Sequence, residues 1–124
     1  MKTKSPQCGL IASKWGPCFW MHLHMVAAGF PTDGRRRHAY MRYFKDIGHV
    51  LPCQTCRTHY QTILQRYIKK GSYKNKFKSR TVLQNFVWQI HNKINAKLQK
   101  PMQKKDILKQ YSVAAIESKY RAKC

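Results

Sequence analysis

Apolar residues recur at helical spacing along this chain of 124 residues, and the widest apolar stripe runs from Val82 to Leu98. Within it, apolar side chains lie three or four positions apart, at Val82, Leu83, Phe86, Val87, Ile90, Ile94 and Leu98. That period predicts an amphipathic helix whose apolar face must be buried against other elements. Ser79 is the predicted N-cap of this helix, and Pro101 is predicted to stop it.

Four other segments show the same period. The first runs from Trp15 to Phe30, with Pro17 expected in its first turn. A turn at 31–34 follows, in which Thr32 or Asp33 is a predicted N-cap for a second helix through Ile47. Gly48 is expected to end that helix.

The third segment runs from Cys56 to Ile68 and ends at Gly71, a predicted C′ residue. A basic loop at 71–79 joins it to the fourth helix, and a shorter fifth segment runs from Ile107 to Ile116. No stretch alternates in polarity long enough for a strand. The sequence therefore predicts one all-α domain over 1–124, a four-helix bundle with a short fifth helix, its core at about 13–119 and its termini basic and flexible.

The charge is strongly positive, with 25 Lys and Arg against 4 Asp and Glu, or +21. Because 43% of the residues are hydrophobic, a disordered polycation is excluded. The basic clusters at 35–37 and 69–80 suit phosphate, so a basic helical nucleic-acid-binding module is one interpretation. No apolar run reaches the roughly 20 residues of a membrane-spanning helix, and no export signal is readable.

Of the five cysteines, only Cys53 and Cys56 stand close together, after Pro52 at a predicted helix start. Two cysteines on one helical turn can form a redox disulfide, because the positive end of the helix dipole stabilises a thiolate. The alternative is half of a structural zinc site, completed by His59 and another ligand. No second cysteine or histidine pair stands at zinc-finger spacing, which favours redox chemistry with no metal.

Polar residues interrupt two apolar helices. His91, Asn92 and Asn95 lie beside the stripe of the fourth helix, where they need partners from a bound heterocycle or from an interhelical hydrogen-bond network. In the first helix, Trp20 and His24 project together. A glycine at a helix start, as at Gly16, allows a ligand to approach the backbone closely.

Together these motifs resemble the Erv/ALR family of FAD-linked sulfhydryl oxidases. That family carries a Trp four residues before a His on its first helix, a CxxC opening its third, and an HN-x-x-N-x-x-L-x-K-P run on its fourth. The matching residues of this chain are Trp20, His24, Cys53, Cys56, His91, Asn92, Asn95, Leu98, Lys100 and Pro101.

The resemblance implies FAD at the bundle mouth beside the Cys53–Cys56 disulfide. The FAD-binding residues would then be Gly16, Trp20, His24, His91, Asn92, Asn95 and Lys100. It also implies a catalytic cycle in which a substrate dithiol attacks Cys53 and the released Cys56 thiolate passes electrons to FAD. Molecular oxygen would be the final acceptor and would give hydrogen peroxide. The expected substrate is a dithiol protein, thioredoxin-like or another cysteine protein.

The same resemblance also gives expectations for the remaining cysteines. Cys8 and Cys124 match two family cysteines that link the subunits of a homodimer, and the alternative makes either one a thiol that relays electrons to Cys53. Cys18 is expected to be unpaired. A compact chain of this kind is similar to the versions encoded by large DNA viruses, which implies the host cytoplasm or the virion. The mitochondrial intermembrane space is the alternative location.

Overall fold

The computed structural model describes residues 9–97 and 110–123. Five α-helices occur in these ranges, and no strand is found there. They are α1 (Ala12–Ala28), α2 (Arg37–Asp46), α3 (Gln54–Lys69), α4 (Arg80–Lys97) and α5 (Val113–Tyr120). Two short 3₁₀ helices, Ile47–His49 and Tyr73–Phe77, lie between them. The prediction of an all-α fold with a short fifth helix is confirmed.

A single aromatic-rich core joins the helices. α1 packs most extensively on α4, α3 closes the bundle beside α4, and α5 lies against both α1 and α4. The largest fully buried side chains are Leu23, Phe30, Phe44, Tyr60, Ile63, Phe77, Leu83, Phe86, Val87 and Ile90. Most of the predicted apolar stripe of α4 is therefore buried, although Val82 is exposed and Leu98 lies outside the described residues.

The first helix begins earlier than predicted. α1 starts at Ala12, so Pro17 lies beyond its first turn and inside the helix. Proline has no N–H to donate to the carbonyl four residues back, that of Ser13. Both residues are exposed, so water can satisfy this carbonyl.

The second helix begins later than predicted, and its predicted cap is wrong. Asp33 Oδ1 accepts a hydrogen bond from the Arg35 backbone N–H at 3.0 Å, and Gly34 has a φ of +72°. These residues form a turn of their own, and α2 starts after it, at Arg37. Gly48 does follow α2, but it lies in the 3₁₀ turn with Tyr60 packed where a Cβ would stand. A side chain at position 48 would collide with Tyr60, so packing requires a glycine there.

The predicted C-terminal end of α3 and the predicted start of α4 are confirmed, whereas α3 begins at Gln54, before the predicted Cys56. Gly71 has a φ of +72°, and its N–H donates to Ile68 while that of Ser72 donates to Tyr67, as in a Schellman motif. Ser79 Oγ accepts from the Val82 N–H at 3.2 Å and caps α4. The predicted stop at Pro101 lies outside the described residues.

Two segments differ from their predictions. The basic loop at 71–79 contains the 3₁₀ helix Tyr73–Phe77, which buries Tyr73 and Phe77 in the core. The fifth helix of the described part runs from Val113 to Tyr120, and Ser112 Oγ accepts from the Ala115 N–H and caps it. Residues 110–112 of the predicted 107–116 precede this helix, and residues 107–109 lie outside the described ranges. No helix in the described ranges has the length and apolar character to cross a bilayer.

Candidate functional site

The paired cysteines lie at the start of α3. Cys53 is the N-cap of this helix, and its Sγ accepts a hydrogen bond from the Cys56 backbone N–H at 3.3 Å. Both cysteines are half-buried, and Cys56 packs against the core. This hydrogen bond joins the two cysteines within the first turn of α3. The predicted position of the pair at a helix start is confirmed.

An N-terminal segment packs on the loop before these cysteines. Gly9 has a φ of +74°, and a Cβ there would overlap the Pro52 carbonyl oxygen and stand 3.1 Å from the Cys53 Cα. Leu10 donates its N–H to Pro52, and its carbonyl accepts from Trp15 Nε1 at 3.1 Å. This segment thus ties the start of α1 to the backbone that holds Cys53. Sequence reasoning missed it, because only packing shows why Gly9 must lack a side chain.

Aromatic rings connect the cysteine helix to the interior of α1 and α4. Tyr60 lies one turn after Cys56 on α3, and its ring centroid is 6.5 Å from that of Phe19. The Phe19 ring is 5.1 Å from Trp20, which stacks on His91 at 4.1 Å with an interplanar angle of 6°. Trp20 and His91, which the sequence assigned to separate motifs, are therefore in direct contact.

Two buried histidines form the centre of this group. His24 Nε2 and His91 Nδ1 lie 3.1 Å apart and share a hydrogen bond, with side chains only 2% and 5% exposed. Burial lowers the pKa of His24 from its ordinary value to about 4. His24 is therefore neutral at physiological pH, when an imidazole can both donate and accept.

Tyr111 completes the cluster, and sequence reasoning did not assign it to the site. Its ring stacks on His24 at 4.8 Å and lies 4.9 Å from the ring of His91. Burial also raises the pKa of its phenol. The sequence placed Tyr111 on an amphipathic segment, but only the position of that segment against α1 and α4 reveals the contact.

The other predicted cofactor-binding residues have mixed outcomes. Asn92 and Asn95 are half-buried on α4, and neither side chain hydrogen-bonds to another residue of the described ranges. Gly16 lies in α1, and a Cβ there would meet nothing within 4 Å. Its lack of a side chain is therefore not required by packing against the described residues. Lys100 lies outside those residues, as do Cys8 and Cys124, and Cys18 is exposed on α1.

The residues that could serve as zinc ligands were compared across the described part of the chain. Across 9–97 and 110–123, no three His, Cys, Asp or Glu side chains converge as metal ligands would. His59, the predicted third ligand, keeps a buried Nδ1 that has no hydrogen-bond partner in those ranges. A pair of cysteines alone is insufficient for a structural zinc site, which uses four ligands.

Comparison with known proteins gives consistent matches. The model of the Erv1 / Alr family matches residues 17–114. The putative FAD-linked sulfhydryl oxidase 096R of Invertebrate iridescent virus 3 is 34% identical over 103 residues, which cover 80% of this chain and 66% of that protein. The mitochondrial FAD-linked sulfhydryl oxidase ERV1 of Saccharomyces cerevisiae is 33% identical over 90 residues, which cover 69% of this chain and 43% of the yeast protein. The chain thus spans between about two fifths and two thirds of the length of these relatives.

A solved structure shares the fold. The crystal structure of the yeast Erv1 core superposes with a TM-score of 0.62 at 24% identity, covering 89% of this chain and 86% of that one. At this level of identity the likeness concerns the fold, and it agrees with the helical bundle described above.

Proposed function

The chain belongs to the Erv1/Alr family, and from this membership we propose that it is an FAD-linked sulfhydryl oxidase that forms disulfide bonds in dithiol substrates. The observation that carries the proposal is the position of Cys53 and Cys56. Cys53 caps the helix, and its sulfur accepts an N–H, while Cys56 packs against the hydrophobic core.

The described residues fit a flavin nucleotide. Trp20 and His24 are aromatic residues inside the bundle, and a neutral imidazole such as that of His24 can both donate and accept a hydrogen bond. The side-chain amides of Asn92 and Asn95 make no hydrogen bond to another residue of the described ranges. Amides can donate to and accept from the edge of a heterocycle. We propose that these residues, with His91, Gly16 and Lys100, hold FAD. When bound, FAD supplies two-electron redox chemistry and the transfer of electrons to molecular oxygen, which gives hydrogen peroxide.

Cys53 is the proposed point of attack for the substrate. A substrate thiolate attacks Cys53 Sγ of the Cys53–Cys56 disulfide, and Cys56 leaves as a thiolate. The second substrate thiol then attacks the substrate sulfur of the mixed disulfide, which releases reduced Cys53 and an oxidised substrate. The N–H that Cys53 Sγ accepts favours its departure as a thiolate in this second step.

Cys56 is the proposed electron donor on the cofactor side. It packs against the core and precedes Tyr60 by one helical turn, on the face of α3 that contacts Phe19. The spacing of Cys56 and Tyr60 supports a Cys56 side chain on the face of α3 that contacts Phe19, whereas Cys53 stands at the N-cap.

The composition of the purified protein tests this proposal against the zinc and nucleic-acid alternatives. We expect a yellow protein with one FAD per chain and no stoichiometric zinc. Cys56→Ala should keep the FAD, because Cys56 is not among the proposed binding residues. A colourless protein with stoichiometric zinc would overturn the proposal.

The partners and the cellular location are proposals of the same kind. We propose a homodimer joined by a Cys8–Cys124 disulfide between subunits, with relay of electrons to Cys53 by either cysteine as the alternative. Non-reducing electrophoresis should show a dimer for the wild type and a monomer for Cys8→Ser; a monomer in both would overturn the link.

A viral and a mitochondrial protein are both among the relatives, and we propose the host cytoplasm or virion as the location.

A further inference from the structure

Two lysines converge on one ring near the C-terminal end of α3, away from the cysteines at its start. The Lys93 Nζ lies 4.7 Å from the centroid of Tyr67 and donates to its hydroxyl at 2.6 Å. The Lys76 Nζ lies 5.3 Å from the same centroid. The two ammonium groups are therefore within about 10 Å of each other, although they come from α4 and from the 3₁₀ helix Tyr73–Phe77.

The end of α3 explains how these residues meet. The Schellman motif at Gly71 turns the chain back, so that the 3₁₀ helix passes beside the last turns of α3. Lys70 follows Tyr67 by three positions, so the two side chains are neighbours on the surface at the end of the helix. Lys70, Lys76 and Lys93 together with Tyr67 are called the Tyr67 patch below.

Within the described ranges, no carboxylate forms an ion pair with the lysines of the Tyr67 patch, although the charge of Asp46 acts on Tyr73 in the 3₁₀ helix that carries Lys76. The chain has no Asp or Glu between Asp46 and Asp106, a stretch with thirteen Lys and Arg. In the described part, the carboxylates that form ion pairs are Asp33 and Glu117, and both pair with arginines of their own segments. Ammonium groups within about one Debye length repel each other, and a bound polyanion would relieve this repulsion.

We propose that the Tyr67 patch binds the phosphate backbone of nucleic acid without sequence preference. A lysine ammonium is a compact point charge that binds phosphate, and several of them close together complement a chain of phosphates. The patch lies in a stretch with thirteen Lys and Arg and no Asp or Glu, and such a run of positive charge complements a long polyphosphate. Contacts of this kind displace counterions, so their strength falls steeply with salt.

Binding at the patch leaves the redox site accessible. Lys70 follows Cys56 by fourteen positions, which corresponds to about 20 Å along α3. Nucleic acid at the Tyr67 patch and a dithiol substrate at Cys53 can therefore be bound together. The protein would then work while held on packaged or unpackaged nucleic acid.

A matched pair of triple variants tests the proposal. Lys70→Gln/Lys76→Gln/Lys93→Gln removes three charges from the patch, and Lys14→Gln/Lys119→Gln/Lys123→Gln removes three exposed lysines elsewhere. Lys119 lies on α5, which meets α4 through the Gln84–Glu117 hydrogen bond. Gln84 and Lys93 are nine positions apart and therefore lie on opposite sides of α4. The α5 helix that carries Lys119 thus contacts α4 on the side away from Lys93. Lys14 stands at the start of α1, near the loop that precedes Cys53.

The measurement is the affinity of the full chain for a labelled mixed-sequence DNA duplex over a series of NaCl concentrations. For the patch variant we expect the slope of log K against log salt to fall by about 2 to 3, and the Kd at low salt to rise about tenfold or more. The control variant should keep the slope and affinity of the wild type. Circular dichroism shows whether both variants stay folded.

Two outcomes would overturn the proposal. Equal losses in both variants would mean that binding depends on the net charge of +21 and on no particular surface. Binding of an acidic peptide with no binding of DNA would assign the patch to a protein partner. Neither outcome affects the proposed oxidase, because dithiol oxidation is measured separately on the same variants and should stay at the wild-type rate in both.

Discussion

His24 is the residue whose titration reports most directly on the interior of the site. Burial lowers its pKa from 6.5 to about 4, so the unfolded chain binds this proton more readily than the folded one. The stabilisation is complete above pH 6.5 and is lost as the pH falls toward 4. From pH 7 to pH 4.5 we expect the flavin-free protein to lose about 2 to 3 kcal/mol of unfolding free energy through this group.

Urea unfolding at both pH values measures that loss. His24→Gln removes the titrating group while keeping a side chain that can hydrogen-bond, so its unfolding free energy should depend less on pH over the same interval. If the unfolding free energy depended equally on pH in the wild type and in the variant, protonation of His24 would not be the cause of the loss.

At Gly16, a role in the stability of the fold can be distinguished from a role in cofactor binding. A Cβ at this helical position meets nothing within 4 Å, and alanine is the better helix former by about 0.5–1 kcal/mol. Gly16→Ala should therefore leave the stability of the flavin-free protein unchanged or slightly higher. If FAD approaches this backbone closely, the same variant should bind FAD more weakly in a fluorescence titration. Unchanged FAD affinity would remove Gly16 from the proposed binding residues.

At the scale of elements, the docking of the N-terminal segment on the cysteine loop gives a sharper test. Gly9 and Gly71 have nearly the same positive φ, +74° and +72°, but only Gly9 faces a backbone neighbour. Gly71→Ala adds conformational strain alone, of roughly 1 kcal/mol. Gly9→Ala should cost more, because the segment must also leave Pro52.

The readout that isolates this contact is the rate at which iodoacetamide alkylates Cys53 in the reduced protein. Gly9→Ala should change that rate, since the Pro52–Cys53 backbone loses its support, whereas Gly71→Ala should keep the wild-type rate. Identical rates and equal losses of stability in the two variants would show that the segment does not support the cysteine loop.

The elements themselves were largely predictable, because apolar spacing specifies a buried helical face wherever a helix is long. The ends of the helices depended on local turns and capping residues that compete with the apolar pattern. The Asp33–Gly34 turn displaced the start of α2, and the capping residue Ser112 set the start of α5. The burial of Tyr73 in a 3₁₀ helix could not be read from a basic segment, since its ring finds the core only after α3 and α4 have packed.

At the scale of the whole molecule, the net charge of +21 should make stability depend on salt. Like charges on a compact surface repel, and salt screens that repulsion. We expect the urea midpoint to rise as NaCl increases from low to physiological ionic strength. Thermal unfolding over the same series checks the direction, and a midpoint that falls with NaCl would show that attractive pairs dominate.

The candidate site residues could be proposed from sequence, but their contacts with one another could not. Motif spacing singled out Cys53, Cys56, Trp20, His24 and His91, and their roles in a redox site stay predictions. That Trp20 stacks on His91, and that Tyr111 joins them, depends on how α1, α4 and the segment before α5 pack in three dimensions. The sequence has no local signal for such contacts between elements far apart in the chain.

Oxygen consumption by the FAD-loaded protein with dithiothreitol tests the proposed oxidase most directly. Cys18→Ala is the matched control, because Cys18 is exposed on α1 and has no part in the proposed exchange. We expect the wild type and Cys18→Ala to consume oxygen at the same rate, and Cys56→Ala to lose turnover while retaining FAD. Full oxygen consumption by Cys56→Ala would contradict the assignment of Cys53 and Cys56 as the redox pair.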